Sequence, residues 1–321
     1  MDEQTLTLRD FQGSRGVPVD AQILLLDNPR FPGRVHCALL PYLKRGRRAV
    51  TLGASYLGLA PWWGQRGKQL SVPKRSAVLF LGFKDTSIDR LVRLEQLFER
   101  LRDLPQQTFS IIVGKGDYEL GDETASQIPD NVARVIANNT NTDHPRVSYL
   151  PMGRDFRSRQ LFDRVGPTAQ KSCLVYCNYS VNTHPRREEV YERVKDHPFV
   201  DFEHMGNFLD YSISRLDFMR RVAGSHFCIC PRGNAFDTFR MWDCLYLGTI
   251  PIVVREADYH EQLNDLPILF LDRYEDFSDL SEDFLRTKYQ EMQATRYNYT
   301  KLQLRYWVQP AFDAIDSSAP V

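Results

Sequence analysis

No run of about 18 apolar residues occurs in this chain, so a membrane-spanning helix is not expected. Charge of one sign is not in excess either. The 41 Lys and Arg balance 41 Asp and Glu, which removes the basic footprint of a nucleic-acid binder and makes any anion site a local one. Cysteine is sparse: six residues in 321 do not build the disulfide framework of a small secreted scaffold. The opening stretch MDEQTLTLRDFQGSRG lacks the charged-then-apolar pattern of a secretory leader, and the chain as written is expected to be cytoplasmic. In that setting the sequons at Asn138, Asn178 and Asn298 carry little meaning.

Several chemical signatures are also missing. In SIIVGKGDYELG, Gly114 and Gly116 follow a strand candidate, but position 119 is Glu, so the dinucleotide fingerprint fails. No Gly-x-x-x-x-Gly-Lys-Ser/Thr and no His-Glu-x-x-His occurs, which argues against a P-loop ATPase and a zincin-type zinc site. Cys228 and Cys230 share one strand face; Cys-x-Cys can bind metal, but two small core side chains are the preferred reading. No repeat or low-complexity segment is present.

What the chain does contain is alternation. Strand candidates fall at Gln22–Leu26, Ala77–Phe83, Phe109–Val113, Arg134–Ala137 and Val147–Leu150. Between the second and third, Leu91, Leu94, Leu97, Phe98 and Leu101 recur at helical spacing within Ser87–Leu104. The polar, Gly-Pro-containing stretch Arg157–Lys171 reads as a linker. The pattern then restarts: strands at Leu174–Tyr176, Phe199–Phe202, His226–Cys230, Ile250–Val254 and Pro267–Leu271 alternate with helices at Pro185–Lys195, Ser214–Val222 and Asp237–Leu247, and Ser281–Ala294 and Lys301–Phe312 are late helices. Such alternation predicts an α/β protein of two Rossmann-like domains, residues 1–165 and 166–300, facing a central cleft. A C-terminal helix near 301–321 is expected to pack back on the first domain. Ligands of such sheets bind at the carboxyl ends of the strands.

One of those ends stands out. In FCICPRGNAFDTFRMWDCLYLGTIPIVV, a buried strand runs into Pro231-Arg232-Gly233 and then a helix. On a helical wheel Phe239, Trp242, Leu245 and Tyr246 form an apolar sector, with Asp237, Arg240, Asp243 and Cys244 opposite. Gly233 permits close backbone approach, Arg240 can fork onto phosphate oxygens, and Asp237 can accept ribose hydroxyls. The arrangement suits a nucleotide diphosphate; helix capping by Asp237 and a solvated Arg240 is the structural alternative. NTHPRREE, after another strand, puts Asn182, His184, Arg186 and Arg187 at a second such end.

The stretch Phe227–Val254 resembles the C-terminal signature of exostosin-like glycosyltransferases, in which a Pro-Arg-Gly loop, an Asp, an Arg-x-Trp-Glu/Asp helix and a Gly-x-Ile-Pro strand follow in order. VIANNTNTDHPRVSYLPMGRD and LVYCNYSVNTHPRREEVYERV are similar to segments of bacterial and viral relatives. The resemblance implies the glycosyltransferase-B architecture (GT-B), with a nucleotide-sugar donor held by the C-terminal domain at Arg232, Gly233, Asp237, Arg240 and Asp243. Family members often have Glu at the last of these. It also implies a hexosyl- or pentosyltransferase of polysaccharide biosynthesis, with a glycan or lipid-linked acceptor; peripheral membrane association is compatible with the latter. No Asp-x-Asp metal-binding pair occurs, so transfer is expected to be metal-independent, with no cofactor beyond the donor.

A catalytic base is less legible. Asp27, His144 and Asp155 follow strand candidates and are taken as base candidates. Asn139, Asn141, Gly153 and Arg154 are read as bordering the cleft, and Trp62-Trp63 as either packing or a platform for an acceptor sugar. The absence of an identifiable base leaves open a nucleotide- or sugar-binding protein of the same fold without catalysis, and the acid–base helix face is shared by a second alternative, a fucosyltransferase-like enzyme.

Overall fold

The computed structural model describes residues 5–16, 49–52, 76–81, 89–113, 119–154, 161, 164–203 and 213–317. The chain divides into two compact units: Ile23–Met152 with Leu304–Val321, and Met1–Gln22 with Gly153–Gln303. The chain opens with the short strand β1 (Thr5–Thr7) and helix α1 (Leu8–Gln12).

In the Ile23–Met152 unit, β2 (Ala49–Leu52), β3 (Ala77–Leu81), β4 (Phe109–Val113), β6 (Val132–Ala137) and β8 (Val147–Tyr149) form a parallel sheet in that order. A two-stranded pair, β5 (Leu120–Gly121) and β7 (Thr140–Asn141), flanks the four-residue helix α3 (Asp122–Ala125). Helix α2 (Asp89–Arg102) lays Leu94, Leu97, Phe98 and Leu101 onto Leu79, Ile111, Val113 and Val135. Val78, Ile112 and Ile136 alternate with those strand residues and therefore serve the other face. The C-terminal helix α8 (Leu304–Asp316) packs on β3, β4 and β6, and Trp307 meets Tyr149 edge-on at 5.5 Å.

The second unit holds β9 (Cys173–Cys177), β10 (Val200–Phe202), β11 (Ser225–Ile229), β12 (Ile250–Val254) and β13 (Leu269–Leu271), all parallel, in the order β10-β9-β11-β12-β13. Helices α4 (Pro185–Val194), α5 (Arg215–Ala223) and α6 (Phe239–Tyr246) connect them, and α7 (Glu282–Ala294) follows. Each helix starts where the sequence supplies an acceptor. His184 Nδ1 accepts from Arg186 N ahead of Pro185, and Ser214, Thr238 and Ser281 cap α5, α6 and α7. Gly248 ends α6 at φ 68°, and a Cβ there would come within 2.9 Å of Gln12 Cγ.

The sheet order matters for function. The chain leaves β9 toward β10 on one side and leaves β11 toward β12 on the other, so the loops at the carboxyl ends of β9 and β11 part and leave a crevice. Among the described residues, the first sheet runs in one direction only and has no such switch point.

Two expectations are corrected. The units do not divide at residue 165, because β1 pairs antiparallel with β14 (Arg296–Asn298) and α1 buries Leu8 and Phe11, which ties the N-terminus to the Gly153–Gln303 unit. Helix α6 starts at Phe239 rather than Asp237, since Thr238, not Asp237, caps it. The strand β2 went unread because AVTL is short and carries no turn signals of its own. The strand expected at Gln22–Leu26 and the pair Trp62-Trp63 lie outside the described residues.

Candidate functional site

Three loops converge at the carboxyl ends of β9, β11 and β12. After β9 come Asn178–Ser180, a 3-10 turn over Val181–Thr183, and α4. After β11 comes the Pro231–Thr238 loop, and after β12 come Arg255 and Glu256.

Arg187, on the first turn of α4, is 8% exposed and turns into the crevice. Its Nε donates to Arg232 O at 2.7 Å and its Nη1 to Ser180 O at 3.2 Å, so one guanidinium stitches the two parted loops. Gly233 makes room for it: a Cβ there would lie 3.3 Å from Arg187 Nη2. Arg240, the second residue of α6, reaches the same place. Its guanidinium lies 5.9 Å from the Tyr179 ring centroid, and that of Arg187 lies 5.8 Å from it. Burial, followed by the like charge of Arg240, pushes the Arg187 guanidinium down to about 10, so it stays protonated at neutral pH. Arg232 curls over Phe236 at 4.0 Å and donates to Gly233 O and Asn234 O.

None of Arg187, Arg232 and Arg240 has a carboxylate ion-pair partner among the described residues. Beside them Arg240 Nε, Ser180 Oγ and Thr183 Oγ1 are buried without a hydrogen-bond partner. Cations and donors concentrated in one crevice without acceptors are the arrangement an anion completes.

The rim is titratable. His184 is pushed below its ordinary value by burial and then by Arg232, with Glu256 acting the other way. Its Nδ1 is occupied by the Arg186 N–H. Tyr274 donates to Glu256 Oε2 at 2.5 Å, and Arg186 covers the Tyr274 ring at 4.6 Å. Burial and then this hydrogen bond push the Tyr274 hydroxyl upward. Asn182 is exposed on the 3-10 turn.

Two expected donor contacts point elsewhere. Asp237 is 3% exposed, and both its oxygens accept from Trp242 Nε1, at 2.8 and 3.0 Å. Asp243 is fully buried and pairs with Arg215 of α5. Cys244 is buried as well, so α6 has no open polar face beyond Arg240; its polar residues face protein. Of the base candidates, Asp27 and Asp155 lie outside the described residues. His144, in the other unit, accepts the Arg146 N–H on Nδ1 and closes a turn before β8. In the same unit Asn139 takes φ 53° after β6, and Asn141 donates to Glu119 Oε1. Gly153 takes φ 63°, and Arg154 is fully buried with its guanidinium 5.8 Å from the Tyr246 ring.

Residues 131–276, which include every loop of this crevice, match the family described as the Exostosin GT47 domain. This segment is similar to exostosin-type glycosyltransferase domains. No curated protein sequence matches the chain. Among solved structures, an α1,3-fucosyltransferase is 12% identical with a TM-score of 0.44, over 76% of this chain and 78% of that one. An α1,3-fucosyltransferase with GDP-fucose is 12% identical with a TM-score of 0.40, over 80% and 95%. An α,α-trehalose-phosphate synthase (UDP-forming) from Burkholderia vietnamiensis is 9% identical with a TM-score of 0.44, over 77% and 72%. Two parallel α/β sheets, each in its own compact unit, make up the described fold. No helix among the described residues is long and apolar enough to cross a membrane.

Sequence reasoning did not single out Glu256, Tyr274, Ser180 and Thr183, which border this crevice. Glu256 had a usable signal, its place just past the β12 carboxyl end. Tyr274 had none, because only packing brings the turn after β13 to Glu256.

Proposed function

We propose that the chain transfers a hexosyl or pentosyl group from a nucleotide-diphosphate sugar to a hydroxyl of a glycan or lipid-linked acceptor, as a step in polysaccharide synthesis. The observation that carries this reading is the set of Arg187, Arg232 and Arg240 at the β9/β11 switch point, none paired with a carboxylate among the described residues, beside buried unpartnered donors. The diphosphate sits in that crevice, where the three guanidiniums offset the charge that builds on it as the glycosidic bond to phosphate breaks. Because protein cations fill this role, the transfer runs without a metal ion at the donor. Glu256, half-exposed on the rim and hydrogen-bonded to Tyr274, is the carboxylate placed to accept ribose hydroxyls; Asp237 instead holds Trp242.

The test is calorimetric and kinetic. UDP, GDP, CMP and TDP are screened for thermal stabilisation, and the binding nucleotide identifies the donor class. Arg240→Ala and Arg187→Ala are each expected to cut kcat/KM for donor hydrolysis or transfer by about 100-fold, the scale of losing one charge-stabilising donor. Unchanged turnover in Arg240→Ala sinks the role. Tight diphosphate binding with no turnover across acceptors would instead mark a binding protein.

A further inference from the structure

Cys228 and Cys230 lie two residues apart at the end of β11, and Cys244 sits on α6. Their three sulfurs lie within 4.8 Å of one another, and Cys230 Sγ is 3.8 Å from Cys244 Sγ. All three residues are buried, and none forms a disulfide. Two thiolates bound at about 2.3 Å to a tetrahedral zinc-type ion are about 3.8 Å apart, so the cluster already has nearly the required spacing.

We propose that Cys228, Cys230 and Cys244 form a three-sulfur site for a thiophilic divalent cation. Thiolate sulfur is the donor that selects such soft ions. On binding, three S–H bonds break, three S–metal bonds form, and three protons pass to solvent. The centre then carries one net negative charge. Arg240 acts electrostatically on Cys228 and Cys230, so a cation is in place to offset it. A monovalent ion would leave two negative charges in the core, which favours the divalent class.

The position gives the site a consequence. Cys230 directly precedes the Pro231-Arg232-Gly233 loop, and Cys244 lies one helical turn after Arg240. An ion there ties the end of β11 to α6 beneath the anion crevice.

The test uses the full chain, reduced and stripped by chelator, titrated with cadmium ion alone. The ultraviolet thiolate-to-cadmium charge-transfer band, proton release and Tm are read. The expected result is saturation at one ion per chain, release of three protons, and a rise in Tm because the ion binds the folded state. Cys244→Ala loses the band, whereas Cys173→Ser, outside the cluster, keeps it. The native titration decides even where a variant fails to fold: a folded, reduced chain giving no stoichiometric band overturns the proposal. So does a full band in a folded Cys244→Ala protein. Transfer activity is not read, so this outcome is independent of the proposed function.

Discussion

Asp237 shows how a side chain's role depends on what reaches it first. A carboxylate beside an arginine-bearing helix suits a ribose, yet both its oxygens accept the Trp242 indole N–H. Asp237→Ala is therefore expected to cost about 2 kcal/mol of stability, the loss of a buried hydrogen bond to a charged group. Nucleotide affinity should stay within about threefold, or less than 1 kcal/mol. Chemical denaturation and calorimetry check the two halves separately. His260 makes a comparable structural bond: its Nδ1 accepts the Glu256 and Ala257 N–H groups at 3.2 and 3.4 Å. Burial, followed by Arg255, pushes it from 6.5 down to about 4. The unfolded chain thus binds the extra proton between those values. The contribution of neutral His260 is complete above pH 6.5 and is lost as pH falls toward 4, to the order of 3 kcal/mol. Stability measured across that range should fall more steeply in the native chain than in His260→Gln.

At the scale of elements, α2 and α6 behave differently though both are amphipathic by sequence. The charged side of α2 meets solvent, and Leu94, Leu97, Phe98 and Leu101 meet the sheet. In α6, Met241 through Tyr246 are all buried, so a polar side chain there must find a protein partner. Asp243 finds Arg215 at the start of α5. The pair is asymmetric, because Arg215 is partly exposed and Asp243 is not. Arg215→Ala takes an ion-pair partner from a buried carboxylate and should cost about 3 kcal/mol, more than Asp243→Asn, after which the guanidinium can turn to water. Thermal denaturation of both variants checks that order. Helical spacing separates polar from apolar sectors; it does not say whether a polar sector faces water or another helix.

At the scale of the whole molecule, the chain's two ends trade units. The N-terminal β1 and α1 belong to the Gly153–Gln303 unit, and α8 to the Ile23–Met152 unit. Phe11 stacks on Tyr299 at 4.0 Å, and Gln12 Nε2 donates to Gly248 O at 2.7 Å, just past α6. Deleting residues 1–16 should therefore destabilise the Gly153–Gln303 unit by about 4 kcal/mol, from loss of the buried Leu8 and Phe11 side chains alone. Differential scanning calorimetry should show one transition moving and the other staying in place. The asparagines of the three sequons, Asn138, Asn178 and Asn298, are all buried.

By itself the sequence determined the α/β class, most strand and helix positions in both halves, and the strand–loop–helix passage through Pro231–Arg240. These are local properties: hydrophobic period, turn residues and a Gly-containing loop after a strand can all be read within a dozen residues. Only the tertiary structure decided the strand order and hence the switch point between β9 and β11. The same holds for the partners of Asp237 and Asp243, the arrival of Glu256 and Tyr274 at the rim, and the meeting of Cys244 with Cys228 and Cys230. Each of these depends on which elements pack together, and a buried polar side chain takes its role from the partner that packing delivers.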